Sequence, residues 1–126
     1  MEASNIIAGC RSFNNYELLK AKCDEIIKKE IPEGYSIRII SGRARGADML
    51  GERYAQERDY KLSMFPASWD NYGKVAGIIR NRNMGDYAKK ADIALLIAFW
   101  NFESRGTKDM INYAEKIGIT TIIVGI

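Results

Sequence analysis

Arginine and glycine residues occur together in two short segments of this chain, and the combination is suited to binding phosphate. The segments are Ser41-Gly42-Arg43-Ala44-Arg45-Gly46-Ala47-Asp48 and Ser104-Arg105-Gly106-Thr107. Each opens a predicted helix, where free backbone N–H groups and arginine side chains can hold anionic oxygen atoms. A tight turn whose arginines are solvated or paired with Asp48 explains the first segment equally well, and a simple Ser or Thr cap at Thr107 is the alternative for the second.

Several kinds of chemistry are excluded by what the sequence lacks. No GxxxxGK[ST] or GxGxxG motif occurs, so an ordinary ATPase or NAD-dehydrogenase assignment has no support. The absence of histidine excludes Ser-His-Asp and Cys-His nucleophile systems, HExxH zinc sites and imidazole bases. The two cysteines, Cys10 and Cys23, are too few for a structural zinc site or a disulfide framework. We therefore predict no metal site and a reduced, cytoplasmic setting.

A third segment combines aromatic and polar residues. Phe65 to Lys74 is long for a connection in a compact domain and contains Trp69 and Tyr72, which favours a binding loop or lid that stacks on a base. Packing at the sheet edge is the alternative role for each aromatic residue. Arg80, Asn81, Arg82, Asn83 and Met84 follow on a predicted helix, whose period places Arg80 and Met84 on one face.

Strands and helices alternate along the chain and must position these segments. Apolar runs followed by glycine, serine or proline predict strands at Asn5–Ala8, Ile37–Ile40, Leu62–Phe65 and Thr120–Val124. Asp92–Trp100 is apolar on both faces and is predicted as a central parallel strand. Apolar residues at three- and four-residue spacing predict helices from Tyr16 to Ile27, with Asn14 or Asn15 as N-cap, from Ala47 to Ala55, and from Met110 to Ile117. A further helix is predicted from about Gly73 to Lys89.

This alternation predicts an α/β fold, specifically a Rossmann-like three-layer sandwich with a mainly parallel five-stranded sheet. The length of 126 residues fits a single domain, 1–126, with one nucleotide-binding unit. No apolar run is long enough to span a membrane, and the N-terminal residues lack the features of a signal peptide, so we expect no membrane association and no export.

The positive charge of the chain falls in the loops that follow the predicted strands. Four windows, 9–13, 41–48, 66–83 and 98–109, contain eight basic and four acidic residues, a net charge of +4, whereas the whole chain carries +3. In a parallel sheet, ligands bind beyond the carboxyl ends of the strands, where these loops meet. The distribution therefore predicts a crevice for an anionic ligand.

Five ordered motifs together resemble one known family. They are Ile7-Ala8-Gly9-Cys10-Arg11-Ser12-Phe13, the segment 41–48, Phe65-Pro66-Ala67-Ser68-Trp69, Gly73-Lys74-x-Ala76-Gly77-x-x-Arg80-Asn81-x-x-Met84, and the segment 104–107. This pattern resembles the YspA-like, YpsA-related branch of the SLOG superfamily, from about Ile6 to Val124. Relatives in that superfamily include the LOG phosphoribohydrolases, which release a base from a nucleoside monophosphate, and the DNA-processing protein DprA.

The resemblance implies a pocket for a nucleotide or nucleotide derivative, with ADP-ribose-like or NAD-like ligands proposed for the wider group. Carried onto this chain, it implies binding by Gly9, Arg11, Ser12, Ser41, Gly42, Arg43, Arg45, Gly46, Asp48, Trp69, Arg80, Asn81, Met84, Ser104, Arg105, Gly106 and Thr107. It also implies a homo-oligomer, and the apolar last strand adds to that expectation.

One departure from the LOG pattern bears on catalysis. The LOG motif PGGxGTxxE supplies a catalytic glutamate, whereas Met110 stands at that position here and the prolyl-glycyl start is missing. Asp109 is one residue short and is expected to point about 100° away around the helix. If glycosidic cleavage occurs, Asp48 is the candidate that would stabilise an oxocarbenium-like centre or position water. A helix-start residue or arginine partner is the alternative role for Asp48.

Three functions follow from these features. The first is binding of a phosphorylated nucleoside or nucleotide derivative by a sensor or sequestering module. The second is a nucleotide N-glycosidase of the LOG type. The third is single-stranded DNA binding of the DprA type, for which affinity must depend strongly on salt. The third ranks last because the positive charge is predicted in a pocket and totals only +3.

Overall fold

Five parallel strands form one sheet, as the sequence predicts. The computed structural model describes all residues from 1 to 126. Its strands are β1 (Glu2–Gly9), β2 (Ser36–Ser41), β3 (Lys61–Met64), β4 (Ile93–Trp100) and β5 (Thr120–Gly125). Its helices are α1 (Tyr16–Glu30), α2 (Ala47–Glu57), α3 (Trp69–Tyr72), α4 (Ala76–Ala88) and α5 (Arg105–Lys116), with a 3-10 turn at Gly73–Val75.

The sheet order is β3-β2-β1-β4-β5, so the chain adds strands on one side of β1 and then on the other. Alternate residues of β1 face opposite layers. Ile7 packs in one core with residues of α1 and α2, and Ile6 packs in a second core with residues of α4 and α5. Helices therefore cover both faces of the sheet, which confirms the three-layer, Rossmann-like α/β prediction. None of the helices has both the length and the apolar composition needed to cross a bilayer.

The element boundaries differ from the sequence prediction in two instructive places. Strand β1 begins at Glu2 because Ser4 and Asn5, although polar, are buried between β2 and β4 at the sheet centre. The connection predicted as a loop contains the short helix α3, none of whose residues is buried. Helix α1 begins where predicted, because the Asn15 side chain accepts a hydrogen bond from the Leu18 N–H at 3.1 Å.

Glycines allow the connections at the carboxyl edge of the sheet to approach each other closely. A Cβ atom at Gly9 would lie 2.3 Å from the Phe99 carbonyl oxygen of β4. One at Gly46 would lie 2.2 Å from the Cys10 carbonyl oxygen, and Gly46 has φ +78°. The same Cys10 oxygen accepts a hydrogen bond from the Ala47 N–H at 3.3 Å. The β1–α1 and β2–α2 loops are thus held backbone to backbone at this edge.

Candidate functional site

A cavity of about 260 Å³ lies at the carboxyl edge of the sheet, on the side covered by α4 and α5. It adjoins the place where the strand order reverses between β1 and β4, the usual ligand site of such sheets. The β1–α1 loop, α3, the 3-10 turn, α4 and α5 contribute its walls. The lining residues are Arg11, Trp69, Lys74, Gly77, Ile78, Arg80, Asn81, Arg105, Gly106 and Asp109.

Six of the residues implied by the family resemblance line this cavity, and four of the lining residues are additional. The six are Arg11, Trp69, Arg80, Asn81, Arg105 and Gly106. Of the four others, Lys74 and Gly77 belong to a motif quoted above, so the sequence could have indicated them. Asp109 could have been found as well, because it lies one helical turn after Arg105. Ile78, an exposed apolar residue on α4, had none.

Positive charge dominates the cavity wall. Four cationic side chains, those of Arg11, Lys74, Arg80 and Arg105, line the cavity, and none of them forms an ion pair within the protein. The one carboxylate on the wall belongs to Asp109, and Arg82 already pairs with it at 3.1 Å. The cationic side chains of the cavity therefore remain available to an anionic ligand.

The first turn of α5 supplies backbone donors next to these cations. The Ser104 side chain caps the helix by accepting from the Thr107 N–H, and the Ser104 carbonyl accepts from the Lys108 N–H. The earlier N–H groups, of Arg105 and Gly106, are left for a ligand. The turn itself is fixed, because Asn101 Oδ1 accepts from two successive N–H groups of the loop, each at 2.9 Å.

A chain of hydrogen bonds joins α4 to α5 along the cavity. Arg80 Nε donates to Asn81 Oδ1 at 3.0 Å, and Asn81 Nδ2 donates to Asp109 Oδ2, also at 3.0 Å. Arg80 Nη1 donates in addition to the Gly42 carbonyl at 2.5 Å. Asn81 is buried, and both ends of its amide are bonded, so its orientation is determined by its neighbours. Arg80 and Asp109 are therefore held at defined positions in the wall.

Trp69 forms the outer part of the wall. Its side chain is half exposed, and its ring edge lies 3.6 Å from where a Cβ atom of Gly77 would stand. Because Gly77 has no side chain, the indole ring can lie close to the backbone of α4, with one part in contact with the protein and the rest open to solvent or to a ligand.

Asp48 lies behind the cavity wall and is 4% exposed. A Cβ atom on Gly42 would lie 2.8 Å from both Asp48 Oδ2 and Arg80 Nη1, so these two groups flank Gly42. Burial raises the pKa of Asp48 to about 6, while the Ala44 N–H and the Arg80 charge act in the opposite direction. The side chain does not line the cavity. Asp48 therefore lies behind Arg80, on the far side from a ligand in the cavity.

This raised pKa predicts a pH effect on stability. The folded state holds the Asp48 proton more tightly than the unfolded chain does, so this stabilisation is complete below about pH 4 and is lost as the pH rises through about 6. We expect Asp48→Asn to become more stable relative to the wild type by about 2–3 kcal/mol between pH 4 and pH 7. Urea denaturation across this range tests it, and a constant difference between the two proteins would contradict it.

The remaining residues implied by the resemblance do not line the cavity. Gly9, Gly42 and Gly46 allow the close approaches behind it. Ser41 and Arg43 turn to the buried carboxylate of Glu52, at 2.7 Å each. Met84 lies in the core between α4 and the sheet. Ser104 is the N-cap of α5, and Thr107 is buried in the first turn of the helix, where its hydroxyl group contacts that of Ser104. Ser12 and Arg45 are exposed beyond the cavity. Met110, at the place of the LOG glutamate, is also in the core.

Comparison with known proteins identifies a family and one relative. A sequence model of YAcAr, the YspA, cpYpsA-related SLOG family, matches residues 6–72. The gene 61 protein of Mycobacterium phage D29 is 31% identical over 96 residues, which cover 72% of this chain and 74% of the phage protein. No solved structure matches significantly. The family match includes the first three of the five motifs, and the motifs on α4 and α5 lie outside it.

Proposed function

Since the chain belongs to the YspA, cpYpsA-related SLOG family, we propose that it binds a phosphorylated nucleoside or nucleotide derivative, of the ADP-ribose or NAD type, and acts as a sensor or sequestering module. Family membership supports a nucleotide-related role in general terms. The observation that carries the specific proposal is the set of four cations around one cavity, none of them neutralised by an ion pair.

The size and polarity of the cavity indicate that one part of the ligand would lie inside it and another part outside. At about 260 Å³ it is smaller than the roughly 300–1,000 Å³ usual for drug-sized ligands. It therefore accommodates a phosphate with its sugar rather than a whole dinucleotide. Phosphate oxygens would meet Arg105, Arg80 and the first N–H groups of α5, and the base would extend outward over the exposed ring of Trp69.

A thermal-shift panel tests this proposal. ADP-ribose, NAD and nucleoside monophosphates are added at millimolar concentration, and a ligand bound only by the folded protein must raise the melting temperature by mass action. We expect Arg105→Ala to weaken binding tenfold or more, because a charge-assisted hydrogen bond contributes about 1.5–3 kcal/mol.

Lys108→Ala is the matched control, since Lys108 is an exposed cation on the same helix that does not line the cavity. We expect it to bind within about twofold of the wild type. Equal loss in both variants, or no response to any ligand, would overturn the proposal.

Mass spectrometry of the recovered ligand separates binding from turnover. An intact ligand supports a sensor or sequestering module, whereas release of free base or ribose phosphate would establish an N-glycosidase of the LOG type. Salt-dependent binding of oligonucleotides in place of small ligands would instead support the DprA-like alternative. Native mass spectra of the same sample also test the expected homo-oligomer.

A further inference from the structure

Asp109 is the one carboxylate among the residues that line the cavity. Its Oδ2 accepts from Asn81 Nδ2 at 3.0 Å and from Arg82 Nη1 at 3.1 Å, and its Oδ1 accepts from Arg82 Nη2 at 3.2 Å. An ionised carboxylate has about four acceptor positions. Three are occupied by the protein, so one position on Oδ1 remains, and a quarter of the side chain is exposed.

The open acceptor position on Asp109 Oδ1 favours a ligand that has a hydrogen-bond donor there. An ionised carboxylate only accepts, so it repels a phosphate oxygen placed against it and attracts a hydroxyl group. Asp109 follows Arg105 by four residues on α5, which places their Cβ atoms about 5–6 Å apart on one helix face. The donor must therefore be a near neighbour of the phosphate in the ligand. Sugar hydroxyls meet that requirement, whereas the amino group of a base lies beyond the sugar.

We propose that Asp109 is a specificity-determining residue, which accepts a hydrogen bond from a sugar hydroxyl and thereby selects a sugar phosphate over a phosphate that carries no hydroxyl nearby. This inference rests on the proposed function and narrows it. It assigns the cations to the phosphate and Asp109 to the sugar. Asn81 and Arg82 act as positioning residues, because they hold the carboxylate in one orientation.

A matched pair of small probes tests the assignment. Ribose 5-phosphate and tetrahydrofurfuryl phosphate share a five-membered ring and a phosphate, but the second lacks the ring hydroxyls. By calorimetric titration, we expect the wild-type protein to bind ribose 5-phosphate about tenfold more tightly, since a hydrogen bond to a charged group is worth about that factor or more.

Asp109→Asn is expected to reduce the preference. Asn81 Nδ2 and Arg82 Nη1 both donate to the Oδ2 position, so they would hold the amide oxygen there and leave the NH₂ group at the Oδ1 position. That group can donate to a hydroxyl oxygen, but a neutral hydrogen bond is weaker than one to a carboxylate, so the ratio of the two affinities should fall severalfold, to about two or less. Glu103→Gln removes an exposed carboxylate from the adjacent loop and should leave the ratio at its wild-type value.

The outcomes separate this inference from the one it rests on. If the wild type binds neither probe and no nucleotide, the proposed function fails and this inference fails with it. If phosphates bind but the wild type prefers the probe without hydroxyls, or if Asp109→Asn keeps the wild-type ratio, the role of Asp109 is refuted and phosphate binding stands. If the variant does not fold, the wild-type comparison still refutes the inference when ribose 5-phosphate binds no more tightly than the probe without hydroxyls.

Discussion

Replacing Gly46 by alanine is expected to destabilise the protein by about 3–5 kcal/mol, a large effect for a single methyl group. The added Cβ would lie 2.2 Å from the Cys10 carbonyl oxygen and 2.7 Å from the Arg11 carbonyl carbon, so backbone must move. The φ of +78° adds about 1–2 kcal/mol of strain for any residue with a Cβ. Movement of Arg11 also displaces one cation of the cavity, so ligand affinity should fall as well.

Gly106→Ala is the matched control for stability. A Cβ atom at Gly106 meets no other atom within 4 Å, and the residue lies in the first turn of α5. Alanine there should leave the unfolding free energy unchanged or raise it by up to about 1 kcal/mol. Urea denaturation of both variants gives the comparison. A loss of less than about 1 kcal/mol in Gly46→Ala would show that the two loops can separate at little cost.

The second large effect is expected at Arg80. Its replacement by leucine removes the donors to the Gly42 carbonyl and to Asn81 Oδ1, and it removes the positive charge that most strongly lowers the pKa of the buried Asp48. Leaving the Gly42 carbonyl and the Asn81 amide oxygen without a donor costs about 1–3 kcal/mol for each buried group, so we expect a loss of about 2–4 kcal/mol in all. Arg105→Leu should change stability by no more than about 0.5 kcal/mol, because Arg105 is exposed and unpaired. Both variants should lose ligand binding, since both arginines line the cavity.

A double-mutant cycle identifies the cause of the Arg80 effect. If the cost comes from the stranded Asp48 charge, adding Asp48→Asn to Arg80→Leu must restore at least about 1 kcal/mol more than Asp48→Asn gives in the wild type at pH 7. Additive effects would instead place the cost in the lost hydrogen bonds to Gly42 and Asn81. Denaturation of the four proteins under one condition supplies the required free energies.

Much of the fold could be predicted from local pattern. The apolar run from Ile93 to Trp100 is buried on both faces as β4, and the spacing of Tyr16, Leu19 and Cys23 matches the buried face of α1. The ends of the helices and strands were harder to predict. Glu2 to Ser4 carry no apolar pattern, and they join β1 because Glu2 pairs with β2 and because Ala3 and Ser4 pair with both β2 and β4. Whether a residue is paired in this way depends on the topology of the sheet and not on the residues next to it in the sequence.

The candidate site, like the fold, has features that the sequence predicts and features that it does not. Arg11, Arg80 and Arg105 could be assigned to one crevice because parallel strands bring their loops to the same edge. The direction in which each side chain points could not be predicted in this way. Arg43 turns to Glu52, nine residues further along the chain, and Met84 turns to the sheet because α4 packs there through its buried residues. Asp109 was expected to point away from the position of the LOG glutamate. It does so, and that direction is toward the cavity, whereas Met110 enters the core.

The pairing of β1 with β4 has a consequence for how the protein is made. Strand β1 lies in the middle of the sheet, but its neighbour β4 begins only at Ile93, roughly 80 residues after Gly9. A ribosome adding about 5–20 residues per second needs roughly 4–16 s to bridge that interval. During it, one edge of β1 has no partner, and neither Arg105 nor Asp109 has been synthesised. Any ligand that requires Arg105 and Asp109 can therefore be held only after α5 has emerged from the ribosome.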